Sequence, residues 1–150
     1  MAVNIQKYDV RLVKEEGSRY ELDKKVHKPE AAHKIFVEVL QLDKRAQEVF
    51  SIITLDIKSK LKGVFEVSKG NLNSSIVHPR NVFQRAILQN AAAIVMAHNH
   101  PSGDPKPSDI DIKITKQIIS AGEILGIEVM DHIIVGDKYN FVSMREKGLI

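Results

Sequence analysis

Residues 91 to 125 restrict the fold more than any other part of the chain. AAAIVMAH, residues 91 to 98, is small, apolar and partly β-branched, and reads as a buried strand. Regular structure then stops, because Pro101, Gly103, Pro105 and Pro107 crowd the next stretch and each proline removes a backbone donor and fixes φ. From Ser108 the pattern changes period. Ile110, Ile114, Ile118, Ala121 and Leu125 recur at threes and fours, an amphipathic stripe with Gly126 placed to end the helix. Ile127 to Val135 is then another core strand. Strands with a helix inserted between them imply a mixed sheet covered by helices.

The remaining segments fit the same scheme. Pro29 opens an expected helix over residues 29–42, with Ala32, Ile35, Phe36, Val39 and Leu40 on one face. EVFSIITL, residues 48–55, reads as a buried strand, and residues 61–67 as its return after a turn at 56–60. His78-Pro79-Arg80 precedes a helix to about residue 90, with Val82, Phe83, Ala86 and Ile87 inward. Asp137 begins a turn, and Tyr139 to Val142 a short strand. Tyr8, Val10 and Leu12 alternate with charged residues, as in one strand of a hairpin broken at Glu15-Glu16-Gly17-Ser18. The expectation is one three-layer α/β domain over residues 1–150, a mixed sheet with flanking helices. Residues 1–28 form a strand or hairpin extension and 29–150 the core.

Composition narrows the chemistry. A chain of 150 residues can bury a core without disulfides, and cysteine is absent, so a transition-metal site has to be built from His, Asp and Glu. The net charge of +3, from 22 basic and 19 acidic residues, permits nucleic-acid contact without demanding it. No run is long and apolar enough to span a bilayer, and MAVNIQKYDV lacks the apolar core of a signal peptide. A cytoplasmic location is expected.

If the strand runs on through His100, His98 and His100 project to the same side, roughly 6.6 Å apart at the backbone. Two imidazoles so placed can share a metal, and Asp111, in the first turn of the following helix, can turn back as a third ligand. Three nitrogen and oxygen ligands with one position open is the catalytic zinc arrangement, which activates a water near neutral pH. A general base is also needed, and spacing does not identify it. Ser108 and Asp111 also fit a plain helix cap, with an acidic residue three after the serine. The roles are compatible, since Asp111 can ligate while Ser108 caps the helix and offers its hydroxyl to the site.

His98-x-His100, seven residues, then Ser108-x-x-Asp111 matches the JAMM metalloprotease signature. AHNHPSGDPKPSDID with IEVMDHIIVG and Val77-His78-Pro79-Arg80 resembles the RadC family of bacterial JAB-domain proteins, from about Pro29 to Ile150. The resemblance implies a JAB/MPN fold similar to cytidine deaminases. It implies zinc held by His98, His100 and Asp111, and Ser108 helping to hold the tetrahedral intermediate. The JAMM base is a glutamate at the head of an earlier core strand. Glu48 matches it, with Glu66 as the competitor. Longer RadC proteins carry a helix-hairpin-helix-like DNA-binding region, and residues 1–28 are too few and too strand-like to supply one.

Several further residues have more than one reading. His132 reads as a satisfied core histidine, or as a hydrogen-bond partner of a ligand. His78 and Arg80 fit a substrate groove or a surface turn equally. Asn99 should point away from the histidines and bond the loop backbone. Lys58, Lys60 and Lys62 read as a basic edge that can touch phosphates or discourage sheet pairing, the second reading being preferred. His-Asn-His does not indicate an HNH nuclease, and a cytidine deaminase would need cysteines. Three functions follow in order: a zinc-dependent peptidase or isopeptidase acting on a peptide or protein; a DNA-repair-associated nucleic-acid-binding protein or nuclease; and a non-catalytic partner-binding module. No membrane partner is expected, and an oligomer is allowed.

Overall fold

A computed structural model of the chain describes residues 1–15, 17–71 and 77–150. Its helices are α1 (Pro29–Leu40), α2 (Pro79–Leu88) and α3 (Asp109–Leu125), and its strands are β1 (Val49–Leu55), β2 (Leu61–Lys69), β3 (Ala93–Asn99), β4 (Glu128–Val135) and β5 (Phe141–Ser143). The five strands form one sheet in the order β2-β1-β3-β4-β5. β3 and β4 run parallel, joined through α3, and the other neighbours are antiparallel. Every residue of β1 and β3 is buried. That explains why both read as continuous apolar runs, since each strand has a covered layer on both faces.

The two layers sort by strand parity in β1 and β3, and β4 switches parity at the register shift between Val129 and Asp131. Val49, Ile53, Leu55, Val95, Ala97, Ile133 and Val135 pack with Ile35 and Phe36 of α1. Phe50, Ile52, Ile94, Met96 and Val129 pack with Val82 and Phe83 of α2 and with Ile114 and Ile118 of α3. This is the expected mixed α/β architecture with helices on both faces, in agreement with the JAB/MPN fold.

Several expectations need correction. Ile87, expected inward on α2, is 52% exposed, and the last strand starts at Phe141 rather than Tyr139. The N-terminal hairpin does not form: residues 1–15 and 17–23 carry neither helix nor strand, and Tyr8 and Val10 are exposed. Alternation gives an apolar face, but a two-stranded ribbon with nothing to pack on is marginal. Of its expected break, Glu16 lies outside the described residues. The helix expected over 29–42 stops at Leu40, because Gln41 turns left-handed at φ 52° and a 3-10 turn, Leu42–Lys44, follows. The inward face of α3 is also rotated from the apolar stripe. Ile110 is 54% and Leu125 48% exposed, whereas Asp111, Ile114, Thr115, Ile118 and Gly122 are buried. Two polar side chains thus occupy positions that an apolar count rejects.

Gly122 shows how closely α3 lies on the sheet. A Cβ there would sit 2.5 Å from the Ile127 carbonyl oxygen and 3.2 Å from Val129. Alanine in a helix interior normally gains about 1 kcal/mol over glycine. Here overpacking against backbone should dominate, so Gly122→Ala is expected to destabilise by about 1–3 kcal/mol. Urea denaturation would show a lower midpoint with an unchanged slope.

Candidate metal centre

The end of β3 and the start of α3 meet at one point. His98 faces the α2/α3 layer, opposite Phe50 of β1 and Ile134 of β4. His100 follows directly, its N–H bonded to the Val135 carbonyl at 2.9 Å, which carries the chain along β4 for one more residue. The loop then delivers Ser108 as the N-cap of α3. Its hydroxyl oxygen accepts from Asp111 N at 3.1 Å, and Asp111 Oδ2 accepts from Ser108 N at 2.7 Å. This capping box stabilises the helix start by about 1 kcal/mol and aims the carboxylate back at the histidines.

The three expected ligands do converge. His98 Nε2 and His100 Nε2 are 2.9 Å apart. His98 Nε2 lies 3.4 Å from Asp111 Oδ1, and His100 Nε2 lies 3.4 Å from Asp111 Oδ2. For bonds of about 2.0–2.1 Å, the edge of a tetrahedral coordination shell is roughly 3.3 Å, so the donor atoms already sit at ligand spacing. His100 is also committed to the right tautomer. Its Nδ1 is 2.8 Å from the Asp104 carbonyl oxygen, which can only accept, so the neutral ring keeps its lone pair on Nε2. The side chains of His98 and Asp111 are 0% and 4% exposed while that of His100 is 16% exposed, so the cluster opens to solvent on the His100 side. Among the described residues this is a group able to hold a metal ion.

Electrostatics fit the same use. Burial pushes the Asp111 carboxyl up, but hydrogen bonds from His100 and His98, the His98 charge and the Ser108 N–H outweigh it and hold the carboxyl far below the usual carboxylate range. The hydrogen bond with Asp111 raises the His100 pKa, against burial, with help from the Asp104 carbonyl and the charges of Asp111 and Glu48.

Glu48 immediately precedes β1 and is half-buried. Carrying the Phe50–His98 register on by two residues brings it opposite His100, in keeping with its charge acting on that ring. Its backbone is pinned from both sides. Asn99 Oδ1 accepts from Val49 N at 2.7 Å, Asn99 Nδ2 donates to Gln47 O at 3.0 Å, and Gly70 N donates to Glu48 O at 2.8 Å. Asn99 thus points away from the histidines and bonds main chain, as expected, but the chain it holds is the one that presents Glu48. Glu66 lies elsewhere. It pairs with Ser51, whose parity puts it on the α1 side, and its carboxylate is engaged by Arg45 and by Lys69 at 3.5 Å.

His132 is wholly buried, and both of its nitrogens are satisfied. Nε2 is 2.8 Å from His98 Nδ1, and Nδ1 is 2.6 Å from Thr115 Oγ1. Burial holds its pKa well below the ordinary histidine value, with the His98 charge acting the same way. Both readings of His132 therefore hold: it is a satisfied core histidine and a hydrogen-bond partner of a ligand-position residue. Thr115 was not visible in the sequence as part of the site, although it stands one turn from Asp111 on the same helix. His78 caps α2, its Nδ1 accepting from Arg80 N at 3.1 Å, on an exposed turn. Among the described residues no helix is long and apolar enough to cross a membrane.

A mixed sheet with helices on both faces, and two histidines and an aspartate gathered at a strand–helix junction, define an α/β domain with a candidate metal centre. The chain belongs to the RadC-like JAB domain family, whose model matches residues 26–149. It is 45% identical over 119 residues to a UPF0758 protein of Desulfitobacterium hafniense, covering 79% of this chain and 51% of that one. It is 55% identical over 104 residues to a UPF0758 protein of Alkaliphilus oremlandii, covering 69% and 44%. With a UPF0758 protein of Clostridium perfringens it shares 44% identity over 126 residues, covering 84% and 54%. The chain spans about half the length of the curated relatives it matches.

Proposed function

We propose that the protein is a zinc-dependent hydrolase of the JAMM type that cleaves a peptide or isopeptide amide. The observation carrying this reading is the convergence of His98 Nε2, His100 Nε2 and the Asp111 carboxylate at ligand spacing, beside the solvent-facing side of the cluster. Membership of a JAB-domain family supports it further. When bound, zinc polarises the scissile carbonyl and lowers the pKa of a coordinated water to about 7. His98, His100 and Asp111 are the residues that hold it. Glu48, across from His100, takes the proton of the attacking water and returns it to the leaving amine nitrogen. Ser108 donates a hydrogen bond from its hydroxyl to the carbonyl oxygen as negative charge develops there. The helix cap uses only a lone pair of that hydroxyl, so its proton stays available, and Ser108 is exposed. The test is the metal content of protein purified without chelator, followed by a peptide-library cleavage screen of the zinc-loaded form. Absence of zinc, even after it is added back, would overturn the reading.

The proposal carries a pH dependence with a definite sign. A protonated His100 cannot ligate, and its pKa is raised above the ordinary 6.5 by Asp111, the Asp104 carbonyl and Glu48, against burial. Proton competition therefore begins at a higher pH than for an isolated histidine. Asp111 stays ionised throughout this range. Zinc affinity is expected to fall as pH drops through the raised His100 value, by about tenfold per unit for one displaced proton. Competition titrations from pH 8.5 to 5.5 would measure it, and a flat profile between pH 8 and 6 would contradict it.

A further inference from the structure

We propose that Thr115 and His132 form a positioning relay that selects the tautomer of His98 able to ligate a metal. This rests on the metal-site reading above and adds two residues outside the ligand motif.

A ligating imidazole gives the lone pair of one nitrogen, so its other nitrogen must carry the proton. For His100 the Asp104 carbonyl settles the matter locally. His98 has no such carbonyl behind it, because its Nδ1 faces His132 Nε2 at 2.8 Å. An imidazole nitrogen can donate or accept, so the choice passes to His132. If His132 Nε2 accepts from His98 Nδ1–H, a neutral His132 carries its own proton on Nδ1. Thr115 Oγ1, 2.6 Å away, accepts that proton's hydrogen bond. Thr115 must then place its hydroxyl proton, and the Asp111 main-chain oxygen lies 2.6 Å from it. A carbonyl has only lone pairs, so the chain closes there with every donor matched to an acceptor. His98 is left with a lone pair on Nε2, the atom that faces His100 and Asp111.

Run in the opposite direction, the same contacts block ligation. Thr115 would donate to His132 Nδ1, His132 Nε2 to His98 Nδ1, and His98 would carry its proton on Nε2. Both directions hold the same number of protons on these three side chains, but hopping along the links alone does not interconvert them, because one proton must also enter at His98 Nε2 and one leave at the Thr115 end. Metal capture requires the first direction. His98, Thr115 and His132 are all 0% exposed, and Phe50 packs edge-on against the His132 ring at 5.6 Å between centroids, so bulk water does not reach the links. The relay also ends on the carbonyl of Asp111, itself a ligand-position residue, which ties the third ligand to the tautomer of the first.

The test combines zinc affinity, measured against a chromophoric chelator, with the ring-nitrogen shifts of 15N-labelled protein. Thr115→Val keeps the shape of the side chain and removes the hydroxyl, leaving His132 Nδ1–H without an acceptor. Zinc affinity should fall about 10–100-fold, and Thr115→Ser should restore it. In zinc-loaded wild type, His132 should be protonated on Nδ1 and bare on Nε2. The relay is overturned if folded Thr115→Val binds zinc as tightly as wild type, or if His132 carries its proton on Nε2 in the loaded protein. In either case, with wild-type zinc binding intact, the metal-site reading survives. A wild type that binds no zinc removes that reading and the relay together. Should Thr115→Val fail to fold, the wild-type ring shifts decide alone.

Discussion

Replacing Glu48 with glutamine is expected to slow amide cleavage by about 10²–10⁴-fold, the usual contribution of a general base, while zinc stays bound. Glutamine keeps the shape of the side chain and cannot take a proton. Glu48 lies outside the ligand set, with its backbone fixed by Asn99 and by Gly70 N, so the substitution should leave the ligands in place. The matched control is Glu66→Gln. Glu66 faces the other side of the sheet in a partly exposed ion pair with Arg45, and losing such a pair costs about 0–1 kcal/mol. It should leave turnover near wild type. The measurement is kcat/KM on a substrate from the peptide screen, with metal content beside it. Retained turnover in Glu48→Gln, or lost turnover in Glu66→Gln, would remove Glu48 from the role of base.

The contrast between these two glutamates shows where the sequence stops being legible. Glu48 stands just before β1 and Glu66 lies within β2, and strand reading alone cannot place them on one face or the other. A register shift between Phe50 and Ser51 decides it. Phe50 pairs with Ser68, but Ser51 pairs with Glu66 rather than with Val67. The extra residue turns Glu66 to the α1 side, and no local residue pattern announces such a bulge. The ligand motif was legible because it is local. Two residues apart on a strand share a face, and three apart at a helix start make a capping box. The buried strands were legible because layers on both faces leave nothing but apolar positions. His132 and Thr115 are a different case. They are linked across 17 positions of sequence, and the contact exists only because α3 packs on β4. The rotated face of α3 has the same origin: Asp111 and Thr115 are drawn inward to the histidines, and Ile110 and Leu125 are turned out in exchange.

Asp111→Ala is expected to take zinc content from about one per chain to near zero, since it removes one of the three proposed protein ligands from a site whose affinity would depend on all of them. It also removes half of the capping box, because Ser108 N loses its acceptor while Ser108 Oγ keeps the N–H of residue 111. That second loss costs about 0.5–2 kcal/mol, small against a domain stability of about 5–15 kcal/mol, so the variant should remain folded by circular dichroism. Asp111→Asn separates the two roles. Its side-chain oxygen can still accept from Ser108 N, so the cap survives, but it brings no charge to the cation, and zinc should again be lost. With the carboxylate gone, His100 loses the partner that raises its pKa most, and its titration should move down in both variants. If both variants kept their zinc, the metal would sit elsewhere. If wild type held none, Ser108 and Asp111 would be a helix cap and nothing more, with buried His98 and partly exposed His100 left as an imidazole pair whose proton-sharing geometry serves the fold alone.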